Sequence, residues 1–310
     1  MPELGPLGSV RGAFSNERPY RVHICLPAII RPTMIVVMRE ALPPKSSRFI
    51  GRDRFVLGRE SFARISAVEG VALTAEMREV LDQFDRAGLT AAARRRAIHE
   101  RFGSSADSQS IHNGVSAGAM EDSGSDAYCY PGSSVLRNRL GLRDQAELDA
   151  FEALITAQRG EERLPRGALS FAHHRAIHHH LFQDVFDWAG KPRTVHIAKG
   201  GNIFCSPECI EGEAWKLFIK ARAGRFLRNQ PAREFARLSA EFLAELNAIH
   251  RFRAGNGRTQ LTYLTLLAVR AGHPLALERM EPAAMRAAMV ASFNNDVAPL
   301  AGLIEGLIER

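Results

Sequence analysis

The sequence HRFRAGNGRTQ, residues 250–260, joins two long segments that have helical periodicity. After it, Leu261, Leu264 and Leu267 recur at helical spacing, and Gly272 ends the run. The stretch is therefore predicted to be a short loop between two amphipathic helices. The apolar residues that mark the preceding helix are Phe235, Leu238, Phe242, Leu246 and Ile249.

The residues of this loop suit an anionic ligand. Gly255 and Gly257 permit positive φ angles and a close approach of the backbone to a ligand. Consecutive N–H groups at the start of a helix form a concave anion site, and Arg258 can clamp oxygens with paired donors. A histidine side chain ordinarily titrates near neutrality, so His250 is a candidate to take a proton from a hydroxyl. A Gly-Asn-Gly turn alone is typical of a structural turn, but the combination indicates nucleotide chemistry.

The spacing His-x-Phe-x-x-Gly-Asn-Gly-Arg resembles the motif His-x-Phe-x-(Asp/Glu)-Gly-Asn-Gly-Arg-x-x-Arg of the Fic family. This resemblance implies an all-α fold with a short β-hairpin flap, and a protein adenylyltransferase that transfers AMP from ATP to a hydroxyl of a target protein. It assigns His250 the role of catalytic base. It assigns phosphate binding to Gly255, Asn256 and Gly257, through backbone donors and the asparagine side chain. Arg258 would hold the terminal phosphates.

Two departures from the family motif bear on activity. Ala254 stands where the family has the acid that holds Mg²⁺, and Leu261 replaces the last arginine. Because Mg²⁺ usually takes only one or two protein carboxylates, Mg²⁺ is expected from the family but its protein ligand is missing. The alternative is a catalytically weakened Fic fold that binds nucleotide or protein. Transfer of another phosphate-containing group is a third option.

Residues 51–103 are predicted to form three short helices that need a partner surface. Within them, Ser66 to Gly70 resembles the inhibitory motif (Ser/Thr)-x-x-x-Glu-(Gly/Asn) of antitoxins paired with Fic toxins. The resemblance implies that Glu69 pairs with Arg258 and blocks the seating of the ATP γ-phosphate, as an antitoxin-like unit. The departure is Ile65 at the Ser/Thr position. The alternative is that Glu69 is an exposed acid at a helix end.

The remaining boundaries follow from composition. Residues 1–50 have no clear period and are predicted to be a disordered extension, or the product of an over-extended gene start. Residues 104–126 are rich in Ser, Gly and Asp and are predicted to be a flexible linker. The Fic domain is expected to occupy residues 127–310.

Residues 193–204 alternate enough to predict a short hairpin with a glycine turn. The family resemblance makes it a flap that docks an extended target segment by strand pairing. The target-docking residues would be Lys199, Gly200, Ile203 and Phe204. The alternative is a surface hairpin without a partner.

Composition and charge limit the classes of partner that the chain is expected to bind. The chain has 41 basic and 34 acidic residues in 310, a net charge of +7 that is spread along the chain. Without an RNA-binding aromatic motif or zinc-finger spacing, direct nucleic-acid binding is not expected. The apolar run at residues 22–38 is interrupted by Pro27, Arg31 and Pro32, so no membrane segment is predicted. A homo-oligomer is compatible with the sequence.

No metal site is predicted. Four scattered cysteines indicate a reducing compartment, and a cytoplasmic location is expected. Cys205 and Cys209 lack a second ligand pair. His174 and His178 have ligand spacing but no third ligand, so the histidine-rich segment 173–180 is interpreted as a solvated or partly buried helical face.

Overall fold

The computed structural model describes residues 55–110, 126–199 and 202–309. The predicted extension at residues 1–50, Gly200 and the linker residues 111–125 lie outside the described residues. No helix within the described part of the chain is long and apolar enough to cross a membrane.

The predicted all-helical fold is confirmed, with one small hairpin. The helices are α1 (Arg59–Val68), α2 (Ala75–Arg86), α3 (Ala91–Ser110), α4 (Gln145–Gly160), α5 (Phe171–Phe182), α6 (Ile210–Ala223), α7 (Ala232–Ile249), α8 (Asn256–Ala271), α9 (Pro282–Phe293) and α10 (Ala298–Leu307). Strands β1 (Ala198–Lys199) and β2 (Asn202–Ile203) pair antiparallel between α5 and α6.

Side-chain caps explain where several helices begin. Thr74 Oγ1 accepts a hydrogen bond from the N–H of Met77, and Asp144 accepts one from the N–H of Glu147. These caps satisfy amides that lack partners within the first turn. Gly272, at φ 93°, ends α8 in the left-handed conformation that glycine tolerates best.

Helix α8 lies at the centre of the fold. It packs against α1, α5 and α7, and its residues from Arg258 to Ala268 are all buried. A helix that is surrounded on all sides needs an apolar side chain where an exposed helix would carry a polar one. Leu261, only 3% exposed, accordingly packs in the core at the position where the family motif has an arginine.

The three N-terminal helices share this core. Helix α1 packs against α8, α9 and α4, and α3 packs against α4. Phe62 and Ile65 of α1 are buried, and Phe62 lies against Gly160 so closely that a Cβ there would be 2.5 Å from its ring. The expected partner surface therefore exists. The predicted linker boundary is wrong, however, because α3 continues through residues 104–110 to Ser110.

Ion pairs join the N-terminal helices to the end of α4 and the turn after α5. Arg59 pairs with Glu161, and Arg94 approaches the same carboxylate at 3.4 Å. His99 lies 3.7 Å from Asp184. We call the contacts of Arg59 in α1 and Arg94 in α3 with Glu161 the α1–α3 ion pairs. They are partly exposed, so they respond to dissolved salt.

The hairpin has the predicted position. Ala198 pairs with Ile203 and Lys199 pairs with Asn202. Lys199 and Ile203 are exposed, with Ile203 at 57%. Within the described residues the two strands pair only with each other, so the hairpin presents an apolar side chain to solvent next to a strand edge that has no partner there.

The histidine-rich face of α5 lies in the protein interior rather than in solvent. His173, His174, His178 and His180 are all at most 8% exposed. Burial lowers the pKa of each of these imidazoles, because the interior disfavours the charged form. They are neutral members of the core.

Candidate active site

The loop between α7 and α8 has the backbone geometry that its glycines predict. Helix α7 ends at Ile249, and His250 follows in the left-handed conformation with φ 43°. Gly255 has φ 74°, and a Cβ at this position would lie 2.2 Å from the ring of Phe182. Only glycine fits both the dihedral angle and the space.

The side chain of Asn256 closes the loop on itself. Its Oδ1 accepts from the N–H of Phe252 at 2.9 Å, and its Nδ2 donates to the Phe252 carbonyl at 2.8 Å. Phe252 is fully buried and anchors the loop in the core. These two bonds hold the Asn256 side chain within the loop. Its contact with a phosphate, and that of the backbone at the start of α8, stay predictions.

His178 holds the loop from the opposite side. Its Nδ1 accepts from the Gly190 N–H at 2.8 Å, which leaves Nε2 as the donor to the Ala254 carbonyl at 3.0 Å. Burial lowers the pKa of His178 to about 3, so the ring stays neutral. The ring also stacks on Phe252 with centroids 3.7 Å apart. The sequence showed this histidine only as a metal candidate.

The carboxylate of Glu69 occupies the N-terminus of α8. Its Oε1 accepts from the Gly257 N–H at 2.7 Å, and its Oε2 accepts from Arg258 Nε at 2.6 Å. A Cβ at Gly257 would lie 2.8 Å from Oε1, so the missing side chain makes room for the carboxylate. The predicted pairing of Glu69 with Arg258 is present. An anion already sits where backbone amides and helix dipole favour one.

Arg258 bridges two carboxylates. It is 3% exposed, its Nη2 donates to Glu152 of α4, and its guanidinium lies over the Phe182 ring at 4.7 Å. Burial opposes its charge, but Glu152 and Glu69 outweigh this effect and raise the pKa of Arg258. Burial likewise opposes the charge of Glu69, but Arg258 and the Gly257 amide lower its pKa on balance. Sequence reasoning missed Glu152, whose only signal was an acid within a buried stretch of α4.

His250 lies under the flap. Its imidazole stacks on Phe204 with centroids 3.8 Å apart and an interplanar angle of 20°. Burial lowers its pKa to about 4; the charges of Arg193 and Lys199 act in the same direction, and Glu69 opposes them. At neutral pH the ring is uncharged and able to accept a proton.

Position 254 supplies no carboxylate for Mg²⁺. Ala254 has no side-chain donor, and its carbonyl is engaged by His178. Among the described residues, no three His, Cys, Asp or Glu side chains are grouped to hold a metal ion. Any Mg²⁺ in this chain would depend on ligands other than an acid at this position.

A helix N-terminus with a buried arginine, next to a neutral histidine under a hairpin, defines a helical anion-binding domain with a candidate base. A sequence model described as the Fic/DOC family matches residues 168–268. The chain is 50% identical over 184 residues to the probable protein adenylyltransferase y4lH of Sinorhizobium fredii, covering 59% of this chain and 96% of that protein. This chain therefore belongs to the Fic/DOC family.

A further relative and two solved structures are also similar to this chain. The chain is 34% identical to the probable protein adenylyltransferase Fic of Escherichia coli, covering 57% of this chain and 89% of that protein. A solved N-terminal Fic domain of a Bartonella quintana effector with bound ADP superposes with a TM-score of 0.54 at 27% identity, covering 59% of this chain and 94% of that one. BepC of Bartonella tribocorum shares the fold, with a TM-score of 0.53 at 23% identity over 59% of this chain and 96% of that one.

Proposed function

We propose that this chain is a protein adenylyltransferase that transfers AMP from ATP to a hydroxyl side chain of a target protein. The observation that carries the proposal is the Glu69 carboxylate bound to Gly257 N–H and Arg258, in a loop that begins with the neutral His250. A site that binds one anion with a backbone amide and a guanidinium suits phosphate oxygens equally well. The names of the relatives support the same reaction.

In this reaction His250 accepts the proton of the target hydroxyl. The hydroxyl oxygen attacks the α-phosphorus of ATP, the bond from that phosphorus to the β-bridging oxygen breaks, and pyrophosphate leaves. The backbone at Gly255, Asn256 and Gly257 and the guanidinium of Arg258 hold phosphate oxygens during the transfer. Neutral His250 needs no prior deprotonation at pH 7, and a positioned base of this kind contributes about 10²–10⁴-fold to a rate.

The N-terminal unit holds the enzyme inactive in the resting state, in the manner of a toxin joined to its antitoxin. Glu69 binds the same Gly257 amide and Arg258 guanidinium that the ATP phosphates need, so Glu69 and ATP compete for this site. Helix α1 is held in place by Arg286 of α9, whose Nε and Nη2 donate to the carbonyls of Val68 and Ala67 at 2.6 and 2.9 Å. We call these two contacts the Arg286 latch.

The hairpin docks the target. Its exposed edge at Lys199 and Ile203 offers main-chain groups to an extended segment, which would add a strand. Phe204 connects the hairpin to His250 by ring stacking. A hydroxyl on the added strand is thereby brought towards the base. Gly200, in the predicted turn, lies outside the described residues.

The test is label transfer from ATP labelled in the α-phosphate, followed on the protein itself and in a bacterial lysate. Wild type, Glu69→Gly, Glu69→Gln and Glu69→Gly/His250→Ala are compared. We expect label with Glu69→Gly, little with wild type, and none with the double variant. Glu69→Gln is the matched control, since its amide keeps the shape but loses the charge that pairs with Arg258. Absence of label in every protein would contradict the proposal.

A second candidate is a nucleotide- or protein-binding module without transfer activity. Ala254, at the position of the missing acid, favours it, and so does the core residue Leu261. The discriminating variant is Ala254→Glu in the Glu69→Gly background. A large gain in Mg²⁺-dependent transfer over a silent Glu69→Gly parent would support the binding module. Comparable transfer with and without the acid would support the enzyme.

A further inference from the structure

Arg193, in the loop before the hairpin, is a buried cation whose side chain donates to four backbone carbonyls among the described residues. It is 2% exposed, and within the described residues no carboxylate lies at ion-pair distance from it. Its Nε donates to the His250 carbonyl at 2.8 Å and its Nη1 to the Val195 carbonyl at 2.7 Å. Its Nη2 donates to the carbonyls of Cys205 and Ile249.

Two of these carbonyls end helix α7. Ile249 and His250 lie where a helix leaves carbonyl groups without intrahelical partners and has the negative end of its dipole. Arg193 satisfies both and places its charge there. It also donates its own backbone N–H to the Arg251 carbonyl at 2.9 Å. The left-handed conformation of His250, φ 43°, is held by these contacts.

The other two carbonyls form the base of the hairpin. Val195 precedes β1 and Cys205 follows β2, so Arg193 ties both sides of the hairpin to the end of α7. A second link is the N–H of Cys205, which donates to the Ala248 carbonyl at 3.1 Å. The planar guanidinium fixes these groups relative to one another more strictly than a flexible ammonium would.

The charge of Arg193 also acts on the imidazole of His250. Among the described residues, the charged groups with the largest effect on this ring are Glu69 at the end of α1, Arg193 in the loop before the hairpin and Lys199 in β1. Glu69 favours the protonated ring, while Arg193 and Lys199 favour the neutral ring. Removal of Glu69 takes away the charge that favours the protonated ring and leaves the two cations that oppose it.

We propose that Arg193 is a positioning residue that sets the hairpin and His250 in register, so that a docked target hydroxyl meets the base. This inference rests on the proposed transferase function. The guanidinium acts through the four carbonyls and does not touch the reacting atoms. It differs from Arg258, which binds the anion directly.

The test compares Arg193→Gln and Arg193→Lys in the Glu69→Gly background. Both variants lose the planar fork, but lysine keeps the charge. We expect kcat/KM for the target protein to fall about 10²-fold in both, as misplacement of a reacting group by about 1 Å does, with the KM for ATP unchanged. The acid limb of the pH profile should move to higher pH in Arg193→Gln only.

Amide hydrogen exchange of residues 195–206 gives a second readout that needs no activity. Faster exchange is expected in both variants. The matched control is Arg279→Gln, which removes an arginine that donates to the carbonyls of Leu307 and Ile308, both at 3.1 Å and outside residues 195–206. If Arg193→Gln does not fold, Arg193→Lys decides by the same rate and exchange measurements.

An Arg193 variant that folds with unchanged kcat/KM and unchanged exchange would overturn the inference. A Glu69→Gly parent that transfers no AMP would instead refute the proposed function. In that case the exchange of residues 195–206 still decides whether Arg193 couples the hairpin to α7.

Discussion

Loss of the Arg286 latch should partly activate the protein. Arg286→Ala removes two hydrogen bonds, at 2.6 and 2.9 Å, that hold the end of α1 without touching the anion site. A buried bond from a charged donor is worth about 1.5–3 kcal/mol. Arg286 is an exposed residue with one part-buried and one exposed bond, so we take about 1–2 kcal/mol for the two bonds together. Docking of α1 therefore weakens by about 5–30-fold.

The expected result is transfer of α-label about 5–30-fold above wild type, with the Glu69→Gly rate as its ceiling. The matched control is Arg64→Ala, which removes one positive charge from the exposed face of the same helix. In the Glu69→Gly background Arg286→Ala should have no further effect, because the competing carboxylate is already gone. A wild-type rate for Arg286→Ala beside an active Glu69→Gly, or equal stimulation in both backgrounds, would refute the reasoning.

Three further outcomes follow from charge and burial. Burial lowers the pKa of His250 to about 4, and the charge of Glu69 opposes this decrease. In Glu69→Gly the acid limb of the pH profile of kcat/KM should therefore lie near or below pH 4. An acid limb near pH 6.5 would be evidence against a buried base. Added NaCl should raise wild-type transfer by weakening the α1–α3 ion pairs and leave Glu69→Gly unaffected; equal salt responses would exclude electrostatic docking. Arg251 is 1% exposed, and its guanidinium lacks hydrogen-bond partners among the described residues. Its Cζ lies 3.6 Å from the centroid of the Phe171 ring, and burial lowers its pKa to about 9. Arg251→Met should raise the free energy of unfolding by about 1–3 kcal/mol and with it the melting temperature. A lower melting temperature would show that the cation–π contact with Phe171 outweighs the cost of burying the charge.

The local hydrophobic pattern of the sequence was enough to predict helices such as α7. The periodicity before His250 predicts α7, and the structure has this helix at Ala232–Ile249. The linker boundary failed because residues 104–110 lack an apolar period yet continue α3, a helix already begun and packed on α4. Composition distinguishes a flexible segment from a helix poorly where the helix is simply prolonged.

The site was only partly predictable, for a different reason. Glu69 and Arg258 were paired by resemblance to known motifs, although they are 189 residues apart. Glu152 and Arg193 belong to no local motif, and their contacts arise only when α4 and the hairpin base meet the loop. The hydrogen bonds of the Asn256 side chain to Phe252 could not be seen in the sequence, where the motif indicated only phosphate binding.

The central claim is that this loop directs attack at the α-phosphate of ATP, with His250 as base. The most direct measurement is parallel incubation of Glu69→Gly with ATP labelled in either the α- or the γ-phosphate, with Glu69→Gly/His250→Ala as control. The account predicts protein-bound label from the α-position only, and none in the control. Label from the γ-position, or α-label that persists without His250, would contradict it.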